Sequence, residues 1–254
     1  MSTMPSPKPG TDELQPWLAR LGLPVAGVKH RQAGLPAPLR RFHRRLLAHL
    51  VAHAGPPGPS TVGRIAGELG LDPTEALAGL AGADLIHTDP ATGLITVAYP
   101  FSGRPTLHRV TLAGGPTVSA MCAVDALGIP QMTGRDGQVS SADPASGQPI
   151  TVEVSGGAWR WQPATAVVLV AAATVAGGCD PVADCCCPYI NFHADPDHAR
   201  RYLQAHPGMA GELLSQAHAV EAAGRVFGGL LDPEADSGHA RRQPAAVDVL
   251  EPRR

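Results

Sequence analysis

Twenty-nine glycines and 26 prolines punctuate this chain of 254 residues, roughly twice their usual combined share, so turns and irregular segments must be plentiful. Apolar residues still make up 44% of the chain and charged residues only 17%. That is enough to build a core and is far from the composition of a disordered chain. One or two folded domains are expected at this length. The longest apolar stretch, Ala164 to Gly177, falls short of the roughly 18 to 20 residues that a membrane span requires. The N-terminus, MSTMPSPKPGTDELQPW, lacks the apolar segment of a secretory signal. No membrane association is expected, and a cytoplasmic location is. Twenty basic residues stand against 22 acidic ones, and only two of the basic ones are lysines, Lys8 and Lys29. This balance argues against a general nucleic-acid binder. The five cysteines, Cys122, Cys179, Cys185, Cys186 and Cys187, are odd in number, so reduced thiols are expected rather than a disulfide framework.

Residues 1–37 read as a loose leader around the apolar piece Trp17 to Leu21, with a single helical turn at most. From Pro38 the pattern changes, because Leu39, Phe42, Leu46 and Leu50 recur at spacings of three and four with Arg40, Arg41, Arg44 and Arg45 between them. That pattern predicts an amphipathic helix. After Gly55-Pro56-Pro57-Gly58, Ser60 can cap a second helix carrying Val62, Ile65 and Leu69. Asp72-Pro73-Thr74-Glu75 opens a third, with an N-cap, a proline at the first helical position and a capping acid. Leu85 to Thr88 and Leu94 to Tyr99 then flank Asp89-Pro90-Ala91-Thr92-Gly93 as two antiparallel strands would. Three helices followed by a hairpin is winged-helix order, here over residues 38–104. The third helix and the hairpin carry no Lys or Arg, which favours a structural module over a reader of DNA. From Pro105 a second region runs to residue 231. Strands are expected at His108 to Leu112, Thr117 to Met121, Gly137 to Ser141, Ile150 to Val154 and Ala166 to Ala172. Helices are expected at Cys122 to Leu127, from Asp195 to Leu203, and from Met209 to Leu230. An α+β fold class is expected, with residues 232–254 as a disordered tail.

Two constellations could carry chemistry. Cys122 and Asp125 lie three apart and share one face of a helix that begins there. A carboxylate beside a thiol can take and return its proton. The pair also fits a small buried residue and an acid serving the helix N-terminus. The second constellation is Cys185-Cys186-Cys187-Pro188 with Cys179 six residues earlier. Packing does not account for three consecutive thiols, and the spacing is not that of a closed zinc site. Sulfur donors of this kind select soft metals such as Cu(I), Zn(II) and Hg(II).

The segments MCAVDALGIP (Met121 to Pro130) and CPYINFHA (Cys187 to Ala194) resemble the organomercurial, or alkylmercury, lyases. PTLHRVTL (Pro105 to Leu112) and VSSADPASGQPITVEV also match the pattern of that family, and the resemblance covers about residues 38–230. It implies a catalytic domain of mixed antiparallel sheet and helix that cleaves the carbon–mercury bond, releasing a hydrocarbon and Hg(II). It places the two mercury-binding cysteines on Cys122 and Cys187 and the acid–base aspartate on Asp125. Cys179, Cys185 and Cys186 are extra candidate ligands. Some members of the family carry a further cysteine in the strand-turn segment, near the place where this chain has Asp143. The implied partners are the organomercurial, small-molecule thiols and a mercuric reductase that receives the product, with no cofactor. A thiol-based soft-metal binding module and a metal-responsive winged-helix regulator use the same cysteines, and of these readings only the binding module makes Asp125 dispensable.

Overall fold

The computed structural model describes residues 27–173 and 186–232. The first of these enter a short helix, α1 (Val28–Ala33), within the segment expected to be a loose leader. Val28 is buried, and Gly27 lies against Val226 so closely that an added Cβ would meet its Cγ2 at 3.3 Å. The helical turn expected at Trp17 to Leu21 and the tail from 233 lie outside the described residues.

Three helices follow, α2 (Ala37–His53), α3 (Pro59–Gly67) and α4 (Pro73–Gly82). The apolar stripe of α2 buries Phe42, Leu46 and Leu50. Two of the arginines between them are engaged within the chain: Arg40 donates to the Ala33 and Leu35 carbonyls, and Arg45 pairs with Glu68. The cap expected at Ser60 is not used. Helix α3 starts two residues earlier, with Gly58 as N-cap and Pro59 in the first position, where its missing N–H leaves no bond unmade. Asp72 caps α4 as its sequence predicts, accepting from the Thr74 and Glu75 amides at 2.9 Å.

Strands β1 (Ile86–Thr88) and β2 (Ile95–Ala98) pair antiparallel. Asp89 shapes the turn between them by accepting from the amides of Ala91 and Thr92. The hairpin is not free-standing. It continues through β3 (Phe101–Ser102) into β5 (Thr117–Ala120), β4 (His108–Leu112), β6 (Gly137–Ala142), β7 (Pro149–Ser155) and β8 (Ala158–Gln162). These eight strands form one antiparallel sheet in the order β1-β2-β3-β5-β4-β6-β7-β8. Burial alternates along β4, where Val110 and Leu112 face inward and Arg109 and Thr111 outward, as a sheet with one wet face requires.

Between β5 and β6 lies α5 (Ala123–Thr133), which runs through Gly128 and Pro130 rather than stopping at Leu127. It packs against α7 (Gln216–Phe227). A Cβ on Gly128 would meet Phe227 Cδ2 at 2.3 Å, so only glycine allows the two helices this separation. A second sheet has β9 (Val167–Ala173) at its centre, flanked by β10 (Ile190–His193) and β11 (Met209–Leu214). The long helix expected from Met209 to Leu230 is corrected here. Met209 to Leu214 pair with Ala173 to Val168, and α7 starts only after Ser215, which caps the His218 amide. The open edge of β9 needs main-chain partners, and that demand outweighs helix propensity. Helix α6 (Pro196–Ala205) is capped by Asp195 as expected. The result is an α+β fold with two antiparallel sheets. Among the described residues, no helix is long and apolar enough to cross a membrane.

Candidate active site

Strand β5 delivers Cys122 to the start of α5, where it stands as N-cap in extended conformation with φ −150° and ψ −179°. Its sulfur accepts the Asp125 amide at 3.4 Å, so the thiol takes the capping place usually held by an oxygen. Asp125 follows in the first turn of the same helix. Cys187 comes from the other sheet. It opens a three-residue 3₁₀ turn, Cys187–Tyr189, leading into β10. Its sulfur lies 4.0 Å from Asp125 Oδ2. One ligand atom from each of the three residues lies within 4.8 Å of the others, and all three residues are buried, between 2% and 4% exposed. The structure thus brings three residues spread over 65 positions of sequence to one point.

Burial dominates the electrostatics. It pushes the Asp125 carboxyl up to about 7, against hydrogen bonding from Cys122 and the charge of Arg31. Burial likewise pushes the Cys122 thiol well above its ordinary range, joined by its bond to Cys187 and the charge of Asp125. At Cys187 the bond from Cys122 favours the thiolate. Burial and the charges of Asp125 and Asp84 together outweigh it, and the thiol stays above its ordinary range. At neutral pH both sulfurs therefore carry protons, while the carboxyl is poised to gain or lose one.

Two charges from the N-terminal region reach this centre, and neither is signalled by the residue pattern. Arg31 of α1 and Asp84, just past α4, form an ion pair at 3.2 Å. Asp84 adopts a left-handed backbone, φ 49°, and its other carboxylate oxygen lies 2.9 Å from His87 Nε2. The Arg31 guanidinium also stands 5.8 Å from the centre of the Tyr99 ring. The signal was hidden because α1 falls in a segment without long-range apolar periodicity.

Of the three further cysteines, Cys179 and Cys185 lie outside the described residues. Cys186, expected as a reduced thiol, is instead fully buried and disulfide-bonded. In that state Cys186 offers no thiolate to a metal. Asp143 forms a junction of its own. Its carboxylate accepts from the Ala145, Ser146 and Ala194 amides and lies 2.9 Å from His198 Nδ1. Burial works to raise this carboxyl, but those bonds outweigh it and hold it at about 2.

Known proteins share sequence and fold with this chain. Alkylmercury lyases from Bacillus cereus and Clostridium butyricum are each 31% identical to the chain over 125 residues, 49% of this chain and 54% of theirs. The chain thus matches about half the length of these curated relatives. A crystal structure of the mercury-bound form of MerB2 superposes with a TM-score of 0.65 at 22% identity, covering 81% of this chain and 99% of that one, and so shares its fold. The alkylmercury lyase family model matches residues 101–228, half of the chain, from β3 to the end of α7 and across Cys122, Asp125 and Cys187. On that match the chain belongs to the alkylmercury lyase family.

Proposed function

We propose that the protein cleaves the carbon–mercury bond of organomercurials by protonolysis, with Cys122 and Cys187 as sulfur ligands of the mercury and Asp125 as the proton carrier. The observation that carries this reading is the buried Asp125 carboxyl, held near pH 7 within reach of two thiols. A site built only to hold a soft metal needs the sulfurs but has no use for a carboxyl able to shuttle a proton.

The steps follow from the chemistry of the three groups. An organomercurial bound to a small-molecule thiolate exchanges that ligand for one cysteine, whose proton leaves with the released thiol. The second cysteine passes its proton to ionised Asp125, and its thiolate joins the mercury. Sulfur donation pushes electron density onto the carbon. Protonated Asp125 then gives its proton to that carbon, and the electron pair of the carbon–mercury bond becomes the new carbon–hydrogen bond. Hydrocarbon departs, Hg(II) remains on two sulfurs, and Asp125 is ionised again. Cys187 is suited to be the second thiol, because its sulfur already faces Asp125 Oδ2. The apolar surroundings that raise the Asp125 carboxyl also suit alkyl and aryl groups.

In this reading residues 38–104 form a winged-helix-like module that covers the catalytic region, residues 105–231, without reading DNA. The absence of Lys and Arg from α4 and the β1–β2 turn supports that role, as do the internal partners of Arg40 and Arg45. The enzyme would act in the cytoplasm and yield its Hg(II) to thiols and a mercuric reductase. The test is to incubate the purified protein with phenylmercury and excess thiol. Benzene should be released in step with protein-bound mercury, and mercury binding without benzene would leave only a metal-binding module.

A further inference from the structure

Helix α5 fixes Cys122, but Cys187 sits on a turn of three residues that cannot hold a sulfur in place by itself. Something outside the turn must do so. The Pro188 carbonyl, next to Cys187, accepts a hydrogen bond from Asn191 Nδ2 at 2.8 Å. That bond leaves Asn191 Oδ1 as an acceptor, and it meets His108 Nε2 at 3.2 Å. His108 Nε2 must then carry the ring proton. His108 Nδ1, left as the acceptor, lies 2.9 Å from the hydroxyl of Ser141, which donates to it. Every direction in this chain of bonds is therefore set, from Ser141 through His108 and Asn191 to the backbone beside Cys187. His108 and Asn191 are buried at 3% and 6% exposure, and the His108 ring packs edge-on to Phe192 at 5.7 Å.

The far end of the relay is anchored at a telling place. His108 pairs across the sheet with Ala120, two residues before Cys122, and Thr106 Oγ1 donates to the Ala120 carbonyl at 2.7 Å. The same strand pair that delivers Cys122 thus supports the turn that carries Cys187. Burial keeps His108 neutral by lowering its pKa to about 4, with the Asn191 bond acting the other way, so it is no acid or base at neutral pH.

We propose that His108 and Asn191 are positioning residues that hold the Cys187 turn in register with Cys122, so that one mercury atom can be bridged by both sulfurs. The inference rests on the reading of Cys122 and Cys187 as ligands, and it needs no turnover to be tested.

The experiment measures Hg(II) affinity of the full chain by competition with a small thiol, for wild type, His108→Leu, His108→Gln and His108→Asn, with Cys122→Ser as the one-sulfur reference. Glutamine carries an amide to the reach of Nε2 and can keep the Asn191 bond. Leucine cannot form it, and asparagine is too short. His108→Leu should bind Hg(II) on the order of 10- to 100-fold more weakly, the usual cost of losing a residue that orients a metal ligand. His108→Gln should return to within about 3-fold of wild type by the same reasoning. If the leucine variant does not fold, His108→Asn takes its place. Wild-type affinity in either folded variant, or a glutamine variant as weak as leucine, overturns the proposal. So does failure of both to fold, which would make His108 purely structural. If Cys122→Ser itself binds Hg(II) like wild type, the ligand reading has failed, a result distinct from failure of the relay.

Discussion

Replacing Asp125 with asparagine should make the folded chain more stable at alkaline pH while removing its chemistry. The carboxyl is raised from the ordinary 3.8 to about 7, chiefly by burial. Below about pH 4 it is protonated in both the folded and the unfolded chain, and burial adds no penalty. As pH rises past that point the unfolded chain ionises freely while the folded chain resists, so stability falls until the folded carboxyl also ionises near 7. At about 1.4 kcal/mol for each pH unit, the accumulated cost is about 4 kcal/mol above neutrality. Asparagine is neutral throughout and escapes it. Any fixed difference in packing or hydrogen bonding shifts all pH values alike, so the informative quantity is how the gap between variant and wild type changes. Between pH 5 and pH 8 that gap should move by about 2 to 3 kcal/mol in favour of the variant, some 5 to 10 °C in Tm for a chain of this size. Urea unfolding under reducing conditions at several pH values measures it. A gap that stays constant with pH would refute the argument, because it would mean that Asp125 ionises in the folded chain as readily as in the unfolded one.

Two further outcomes test the ligand assignment and the packing behind it. Cys122→Ser and Cys187→Ser should each lose benzene release from phenylmercury by on the order of 100-fold or more, since a hydroxyl is a poor ligand for a soft metal; substantial turnover in either one would remove that cysteine from the site. Gly128→Ala should destabilise the chain by about 1 to 3 kcal/mol in urea, because its Cβ would press on Phe227, which seats α7 against the helix carrying Asp125, and wild-type stability would show that the two helices can part at little cost.

Much of the architecture was legible where the local signal and the tertiary demand coincide. Asp72-Pro73-Thr74-Glu75 marks the start of α4, and the alternation of His108 to Leu112 matches β4 residue for residue. The failures share a physical cause, since each is a place where a distant partner decides. Gly128 and Pro130 look like breakers, yet α5 runs through them because Gly128 admits Phe227 and Thr133 Oγ1 bonds back to the Ile129 and Pro130 carbonyls. Met209 to Leu214 has the composition of a helix but completes the edge of β9. At the site, the motif residues Cys122, Asp125 and Cys187 were visible in sequence and do converge. Arg31 and Asp84 were not, because their influence depends on α1 and α4 lying beside a centre formed by residues up to 156 positions away.

The most direct test of the central claim is a single turnover of phenylmercury on wild type and on Asp125→Asn, following both bound mercury and benzene. Wild type should release one benzene for each mercury retained. The asparagine variant should still take up the mercury on its sulfurs while benzene formation falls by on the order of 100-fold or more, the usual scale for a general acid–base group. Benzene released from the variant at the wild-type rate would contradict the account, for the proton would then reach carbon without Asp125.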